Sequence, residues 1–244
     1  MTETVLVFGA SGNIGVAAII GARRANRHVI AVVRNQAGAE KMFRHVGSRE
    51  GITVVEADVT SEESVHDIVD QVRAGKLPAF QHVWASPGGS YARNPILDFK
   101  IADLREVMAV NFESYVIAYH ATVPYLLEQG FADSTWTMCT GASGDFGTPA
   151  AAAMSQGALY SFAIAASREN EGNAIRFNEV YLAYRVQYQL EPDSERFAGF
   201  HMTTCSDFAP LYEQLLGRVD IRGTRVMVKT PEDVNNLKYE KRYN

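Results

Sequence analysis

The chain has 244 residues, of which 47% are hydrophobic, so it is long enough to bury one sizeable core. Its net charge of −5 and the lack of a Lys/Arg block argue against a nucleic-acid partner. The two cysteines and six histidines show no metal-ligand spacing, which argues against a metal site. The N-terminus lacks the pattern of a signal peptide, so we expect a reduced, cytoplasmic setting and no membrane association.

Short β-rich runs alternate with longer helical patterns, an order typical of a parallel sheet with helices on both faces. No repeat, low-complexity tract or linker divides the chain. We therefore expect a single α/β domain over residues 1–244 with a Rossmann-like, doubly wound, seven-stranded parallel sheet. The predicted strands are Thr4–Gly9, His28–Val33, Ile52–Ala57, His82–Ser86, Thr135–Thr140, Ala174–Leu182 and Thr224–Lys229.

Helical periodicity is clearest from Ser61 to Ala74, where the valines and the isoleucine share one face. Thr60 and Glu63 fit a capping box at the start of this helix. Further helices are predicted from about Ile101 to Leu127 and from about Ala150 to Glu169.

The uncharged stretch from Phe146 to Ser167 resembles a membrane span in its lack of charge alone. Its Ala, Gly and Ser content favours a loop followed by a buried helix, with Met154 in the core. Trp84 and Trp136 are expected in the core as well, because both lie on predicted strands. Residues 184–205 are rich in charged and aromatic side chains and predict a long excursion that shapes a substrate pocket.

The segment "VFGASGNIG" places three glycines between the first strand and the first helix. Glycines at Gly9, Gly12 and Gly15 permit a tight turn, a close approach of the backbone to a pyrophosphate, and close helix–strand packing. The N–H groups at the start of the helix then face the phosphates. We therefore predict dinucleotide binding by Gly9, Ser11, Gly12, Asn13, Ile14 and Gly15.

The residues that follow the second and third strands indicate how the adenosine end of the cofactor is bound. Arg34 follows the second strand, where an acidic residue would bind the ribose of NAD and an arginine suits the extra phosphate of NADP. The alternative for Arg34 is a solvated surface charge. Asp58 and Val59 follow the third strand and are placed to meet the adenine, although Asp58 could equally cap the next helix.

At this point the chain resembles a short-chain dehydrogenase/reductase (SDR) over nearly its full length. The turn "ASPGG" after the fourth strand is similar to the family's Asn-Asn-Ala-Gly turn, and "VNFESY" is similar to the helix that carries its structural asparagine, here Asn111. "IRFNEV", "DFAPLYEQLL" and "RGTRVMVK" are similar to the last strands and helix. The resemblance implies an NADP(H) cofactor and further contacts to it from Ala85, Ser86 and Pro87.

The catalytic positions of the family are occupied differently in this alignment. The family's Ser aligns with Gly141, and its Tyr-x-x-x-Lys aligns with Met154 and Ala158. No shifted register restores the motif, because Tyr160 is followed four residues later by Ile164. Hydride addition to a ketone builds an alkoxide that needs a proton from a positioned acid. Ordinary ketone reduction is therefore disfavoured.

Three functions remain open on these residues. An NADP(H)-dependent reductase of a biosynthetic pathway could act on an imine or iminium, since an iminium carbon is already cationic and needs no acid. A non-redox isomerase or cyclase could keep NADP(H) as a structural group. An inactive protein could bind NADP(H) as a sensor. For an enzyme that acts on a small molecule, the candidate catalytic residues are Asn111, Ser143, Asp145, Tyr184 and Arg185.

The Ala-rich helix that begins near Ala150 bears on assembly. In the family this helix pairs with a second subunit, which implies a homodimer or homotetramer. Small side chains that would permit close contact are Ala151, Ala152, Gly157, Ala158 and Ala165.

Overall fold

The structure is a computed structural model that describes residues 2–89, 92–190 and 201–243. Its strands are β1 (Thr4–Phe8), β2 (His28–Val33), β3 (Ile52–Glu56), β4 (His82–Ala85), β5 (Thr135–Gly141), β6 (Arg176–Leu182), β7 (Arg185–Gln187), β8 (Met202–Thr204), β9 (Thr224–Val228) and β10 (Lys238–Lys241). Eight of them form one sheet in the order β3, β2, β1, β4, β5, β6, β9, β10. The predicted single-domain, Rossmann-like α/β fold is confirmed.

All pairings in this sheet are parallel except the one between β9 and β10. The prediction of seven strands therefore needs one correction, because β10 adds an antiparallel edge strand. Its residues pair with Thr224–Met227 and all of them are exposed, so no buried apolar pattern announces this strand in the sequence.

The helices are α1 (Asn13–Arg24), α2 (Gln36–Val46), α3 (Glu62–Arg73), α4 (Ile101–Met108), α5 (Ser114–Gln129), α6 (Ser143–Phe146), α7 (Ala150–Glu169), α8 (Cys205–Phe208) and α9 (Pro210–Gly217). Helices α1, α2 and α9 cover one face of the sheet, and α3, α5 and α7 cover the other. Each face has its own buried apolar cluster, which is the expected result when parallel strands are apolar on both sides.

Three local predictions are corrected by the structure. Helix α3 is capped by Ser61, whose side chain accepts from the Ser64 N–H, and the capping box at Thr60 is wrong. The predicted helix from 101 to 127 is interrupted by a π-helical turn, Ala109–Glu113, between α4 and α5. Met154 is 41% exposed and does not lie in the core. Small side chains and Leu159 form the buried face of α7, so the apolar character of Met154 was a poor guide to its burial.

Other predictions agree with the structure. Both tryptophans are completely buried. The uncharged stretch forms α7, as expected, and no helix in the described parts of the chain is long and apolar enough to cross a membrane.

The excursion after β6 is only partly described. Its two ends, β7 and β8, pair as a small parallel sheet. Residues 191–200 of the predicted excursion lie outside the described residues. Residues 184–190, which we call the crossing segment, leave the main sheet at the end of β6 and pass over the start of α1.

Candidate active site

The glycine-rich turn between β1 and α1 is built from very close backbone contacts. Gly9 has a φ of +77°, and a Cβ on it would lie 2.4 Å from the Ser86 carbonyl oxygen. A Cβ on Gly15 would lie 2.1 Å from the Gly9 carbonyl oxygen, to which the Gly12 N–H donates at 3.0 Å. Because Gly9 and Gly15 have no room for a side chain, the turn holds β1, β4 and α1 together at the carboxyl edge of the sheet.

The start of α1 has the features of a phosphate site. Gly12 is the N-cap residue and supplies no side-chain hydrogen bond, and the first turn contains no acidic residue. A helix start leaves N–H groups without helical partners, and its dipole favours an anion. The backbone at Asn13, Ile14 and Gly15 therefore fits a pyrophosphate group.

The crossing segment closes over this turn. The Asn13 side-chain amide donates to the Val186 carbonyl at 2.7 Å and to Gln187 Oε1 at 3.2 Å. The Tyr188 hydroxyl donates to the Ser11 carbonyl at 2.6 Å, and its ring stacks on His45 with 4.0 Å between centroids. These contacts tie the glycine-rich turn to the crossing segment.

The neighbouring start of α2 brings together the residues predicted for the adenosine end. Asn35 caps α2 by accepting from the Gly38 N–H at 3.0 Å. A Cβ on Gly38 would lie 3.6 Å from Ser11 Oγ, so the Ser11 hydroxyl lies beside the first turn of α2. Arg34 is exposed next to Asn35.

Asp58 does not cap the next helix, because Ser61 caps α3; Asp58 instead holds the turn before that helix. One of its carboxylate oxygens accepts from the Thr60 N–H at 2.9 Å and from the Thr60 hydroxyl at 2.7 Å. These hydrogen bonds and the nearby Arg34 charge lower the pKa of Asp58. Val59, between them, is half-buried and packs against the core.

The turn after β4 packs against the glycine-rich turn. Ala85 is buried, and Ser86 accepts from the Trp84 indole N–H at 3.0 Å before the chain continues into Pro87. Asn111 is 3% exposed in the π-helical turn, where its Oδ1 lies 3.4 Å from the point that a Cβ on Gly88 would occupy. The predicted residue Asn111 thus faces the β4 turn.

The end of β5 is held by two side chains of α7. Gln156 Oε1 accepts from the Gly141 N–H at 2.6 Å, and the Tyr160 hydroxyl donates to the Gly141 carbonyl at 2.7 Å. Burial raises the pKa of Tyr160, assisted by the Asp145 charge, so its phenol remains a hydrogen-bond donor. Gly144 leaves room for the Tyr160 ring, because a Cβ there would lie 2.6 Å from a ring carbon.

Asp145 is oriented by a second tyrosine. The Tyr181 hydroxyl donates to Asp145 Oδ2 at 2.6 Å. Burial and this hydrogen bond raise the pKa of Tyr181 to about 12, so the phenol donates over the whole physiological range. Asp145 itself is exposed, and its carboxylate can therefore contact a bound molecule.

A buried ion pair contacts the rings of both Tyr160 and Tyr181. The Arg225 guanidinium lies 4.4 Å from the ring centroid of Tyr160 and 4.9 Å from that of Tyr181. It forms two hydrogen bonds to the Glu179 carboxylate, each 2.9 Å long, and the Thr140 hydroxyl donates to the same carboxylate at 2.8 Å. The pair fixes both rings and hence the groups that they bind.

The predicted catalytic residues do not all meet. Ser143 and Asp145 lie together in α6, directly after β5. Tyr184 packs in the cluster on the α1 side, 5% exposed, where burial raises its pKa and its hydroxyl finds no partner among the described residues. Arg185 is exposed at the start of β7, where its backbone N–H donates to the His201 carbonyl at 3.0 Å.

Sequence reasoning missed Gln156, Tyr160 and Tyr181 as site residues. Each lies on an element that was predicted, but no spacing motif marks it. Its role follows from contacts between elements. The described residues contain no cluster of three or more His, Cys, Asp or Glu side chains that could hold a metal ion.

Comparison with known proteins agrees with this geometry. The family model described as short chain dehydrogenase matches residues 3–186. The chain belongs to the short-chain dehydrogenase/reductase family. An SDR named iacG, from Pestalotiopsis fici, is 49% identical over 240 residues, which cover 98% of this chain and 96% of the relative. The short-chain dehydrogenase cctT from Talaromyces islandicus is 30% identical over 140 residues, or 57% of this chain and 46% of the relative.

Solved SDR-like structures share the fold. An NAD⁺-bound xylitol dehydrogenase has a TM-score of 0.80 at 20% identity, covering 93% of this chain and 97% of its own. ElxO with NADP bound has a TM-score of 0.81 at 18% identity, covering 97% of this chain and 100% of its own. With the family model and the relatives, the protein is an SDR oxidoreductase.

Proposed function

We propose that this SDR is an NADP(H)-dependent reductase whose substrate takes no proton from the enzyme, with a cyclic iminium, or a cyclic imine already protonated in solution, as the best fit. The observation that carries the proposal is the start of α7. No side chain from Ala150 to Leu159 is ionisable, and Met154 and Ala158 stand where the family resemblance expects Tyr and Lys. Met154, 41% exposed, offers no proton in their place.

The chemistry of an iminium suits such a site. When bound, NADPH supplies a hydride to the substrate carbon. The electron pair of the C=N bond then moves to nitrogen, which yields a neutral amine with no proton transfer. A ketone treated in the same way gives an alkoxide, for which an acid is required. Positioning of the substrate is then the main contribution of the protein, and this can be worth several kcal/mol.

Asp145 is the residue that we propose to hold the cationic substrate. Its exposure, together with the 2.6 Å hydrogen bond from Tyr181, gives a fixed carboxylate beside the end of β5. Ser143 lies in the same short helix as Asp145, and we propose that Asn111 borders the substrate from the side of the turn after β4. Arg185 stays in the proposal as an orienting group, whereas the buried position of Tyr184 favours a packing role.

The proposed preference for NADP(H) depends on the start of α2. Arg34, the Ser11 hydroxyl and the first turn of α2 lie together, and no acidic side chain takes the place of Arg34 at the end of β2. An arginine and a helix N-terminus both favour the extra phosphate. Asp58 and Val59 then border the adenine, and Ala85, Ser86 and Pro87 border the opposite side of the dinucleotide.

The lack of an ionisable side chain from Ala150 to Leu159 serves a non-redox isomerase or cyclase equally well, so this remains the second candidate. We further propose a cytoplasmic, biosynthetic enzyme that forms a homodimer or homotetramer. Two features of α7 support the assembly: a Cβ on Gly157 would meet nothing within 4 Å, and Ala165 is exposed. Sedimentation at several protein concentrations measures the state.

The proposal is tested by binding and turnover with the purified protein. A fluorescence titration should show tighter binding of NADPH than of NADH, and Arg34→Ala should remove the difference. NADPH should be consumed with cyclic imines and not with ketones. A product formed without consumption of NADPH would favour the cyclase, and binding without turnover would favour a sensor.

Asp145→Asn tests the proposed cation site. Loss of one charge-assisted contact is worth about 1.5 kcal/mol, so KM for the imine should rise by about 10-fold. Asp67→Asn removes a similar charge from the distant α3 and should leave KM unchanged. Equal KM values for the Asp145 variant and the unmodified protein would rule out this role.

A further inference from the structure

The Gln156 side chain has an orientation that the structure defines. Its Oε1 accepts from the Gly141 N–H at 2.6 Å. Because a backbone N–H can only donate, the oxygen of the carboxamide must face Gly141 and its NH₂ group must face away. Within the described parts of the chain this NH₂ group has no hydrogen-bond partner.

A second hydrogen-bond donor, the Ser143 hydroxyl, lies near the Gln156 side chain. A Cβ on Gly141 would lie 3.8 Å from Gln156 Oε1 and 3.9 Å from Ser143 Oγ. The Gln156 carboxamide and the Ser143 hydroxyl therefore flank the space that a side chain at position 141 would fill. Ser143 is half-buried, and among the described residues its hydroxyl has no partner either.

The peptide between these groups is held rigidly. Gln156 binds the N–H of Gly141, and the Tyr160 hydroxyl binds its carbonyl at 2.7 Å. The Tyr160 ring is fixed in turn by the Arg225 guanidinium, 4.4 Å from its centroid. A carboxamide anchored in this way does not have to be ordered when a ligand binds, so little binding energy is lost to ordering.

We propose that Gln156 Nε2 and Ser143 Oγ form a pair of donors that binds a carbonyl oxygen of the substrate, next to the carbon that is reduced. The proposal rests on the proposed function and specifies its substrate class as a cyclic imine that also carries a carbonyl, such as an amide. A carboxamide N–H does not ionise in the physiological range. It orients the oxygen without giving it a proton, in agreement with a site that has no acid.

Gln156→Glu is the most informative variant. It keeps the shape and the acceptor for the Gly141 N–H but replaces the NH₂ donor with a second acceptor. The ratio of KM for a carbonyl-bearing cyclic imine to KM for the same ring without the carbonyl should rise at least about 10-fold, because the added charge acts on both cations alike. Gln81→Glu makes the same change before β4, at the opposite edge of the sheet, where Gln81 Oε1 accepts from the Thr4 N–H at 2.9 Å, and it should leave the ratio unchanged.

A binding measurement separates this inference from the proposed function. A small lactam should bind to the NADP⁺-loaded protein in ligand-observed NMR, with affinity at least about 10-fold lower in Gln156→Glu and a few-fold lower in Ser143→Ala. This result would support the donor pair even if no imine were turned over. Imine reduction with no lactam binding would refute the pair and leave the proposed function intact.

Structural damage gives a different signature. The Gln156→Glu protein should keep the wild-type Tm and NADPH affinity, because its contact to Gly141 is retained. A fall in both, or an equal rise in KM for the two imines, would show that Gln156 only supports the fold and would overturn the proposal.

Discussion

His82 couples the stability of the fold to pH. It lies on β4, 1% exposed, with its Nε2 2.8 Å from Glu3 Oε2 and its Nδ1 3.1 Å from Thr135 Oγ1. A carboxylate only accepts, so Nε2 carries the proton and Nδ1 accepts from the Thr135 hydroxyl. Burial lowers the pKa of His82 from 6.5 to about 4, although the Glu3 charge acts in the opposite direction.

Because the pKa of His82 is lower in the folded protein, the stability of the fold must decrease in acid. Between about pH 4 and 6.5 the unfolded chain binds a proton at His82 that the folded chain does not. Proton binding at His82 therefore does not affect stability above pH 6.5. As the pH falls from 6.5 towards 4, it lowers the free energy of unfolding. The difference between the two pKa values corresponds to about 3 kcal/mol in the free energy of unfolding.

Urea denaturation at a series of pH values measures this contribution. His82→Gln can keep both hydrogen bonds but cannot titrate. The difference in free energy of unfolding between wild type and variant should shift by about 3 kcal/mol against the wild type as pH falls from 6.5 to 4. His120→Gln removes an exposed histidine from α5 and should follow the wild type. A wild type–His82→Gln difference that stays constant with pH, or that grows in favour of the wild type in acid, would refute the reasoning.

Two further changes follow from the geometry. Arg225→Met leaves the buried Glu179 carboxylate without its main partner and should lower the free energy of unfolding by about 3 kcal/mol, whereas Arg225→Met with Glu179→Leu should recover most of it in urea denaturation. A loss that the second change does not reduce would contradict this. Gly15→Ala puts a Cβ 2.1 Å from a backbone oxygen of its own turn and should abolish NADPH binding. Gly217→Ala, with nothing within 4 Å, is the matched control in the same titration, and NADPH binding by the Gly15 variant would be the contrary result.

The fold could be predicted because the strands that build it are buried and regular. Thr4–Phe8 and His28–Val33 are nearly all buried, so their β-branched residues leave a clear pattern. The edge strand Lys238–Lys241 is exposed and short, and it forms because β9 offers it a free edge. The π-helical turn around Asn111 likewise depends on packing and not on helix propensity.

Of the candidate site, the sequence predicted only the part that a local motif encodes. The spacing of Gly9 and Gly15 indicated the turn, because the clash of any side chain there is set within one short segment. Gln156 and Tyr181 act through contacts 15 and 36 residues away in the sequence, which no local pattern encodes. Met154 was misplaced because small side chains and Leu159 form the buried face of α7, and Met154 does not share that face.

The central claim is that this SDR transfers hydride to a substrate without an acid of its own. The most direct measurement follows deuterium from NADPH labelled at the nicotinamide carbon into the product of a cyclic iminium, beside a matched cyclic ketone. We predict one deuterium at the former iminium carbon and no labelled alcohol. Deuterium in the alcohol at a comparable rate, or an iminium product free of label, would contradict the account.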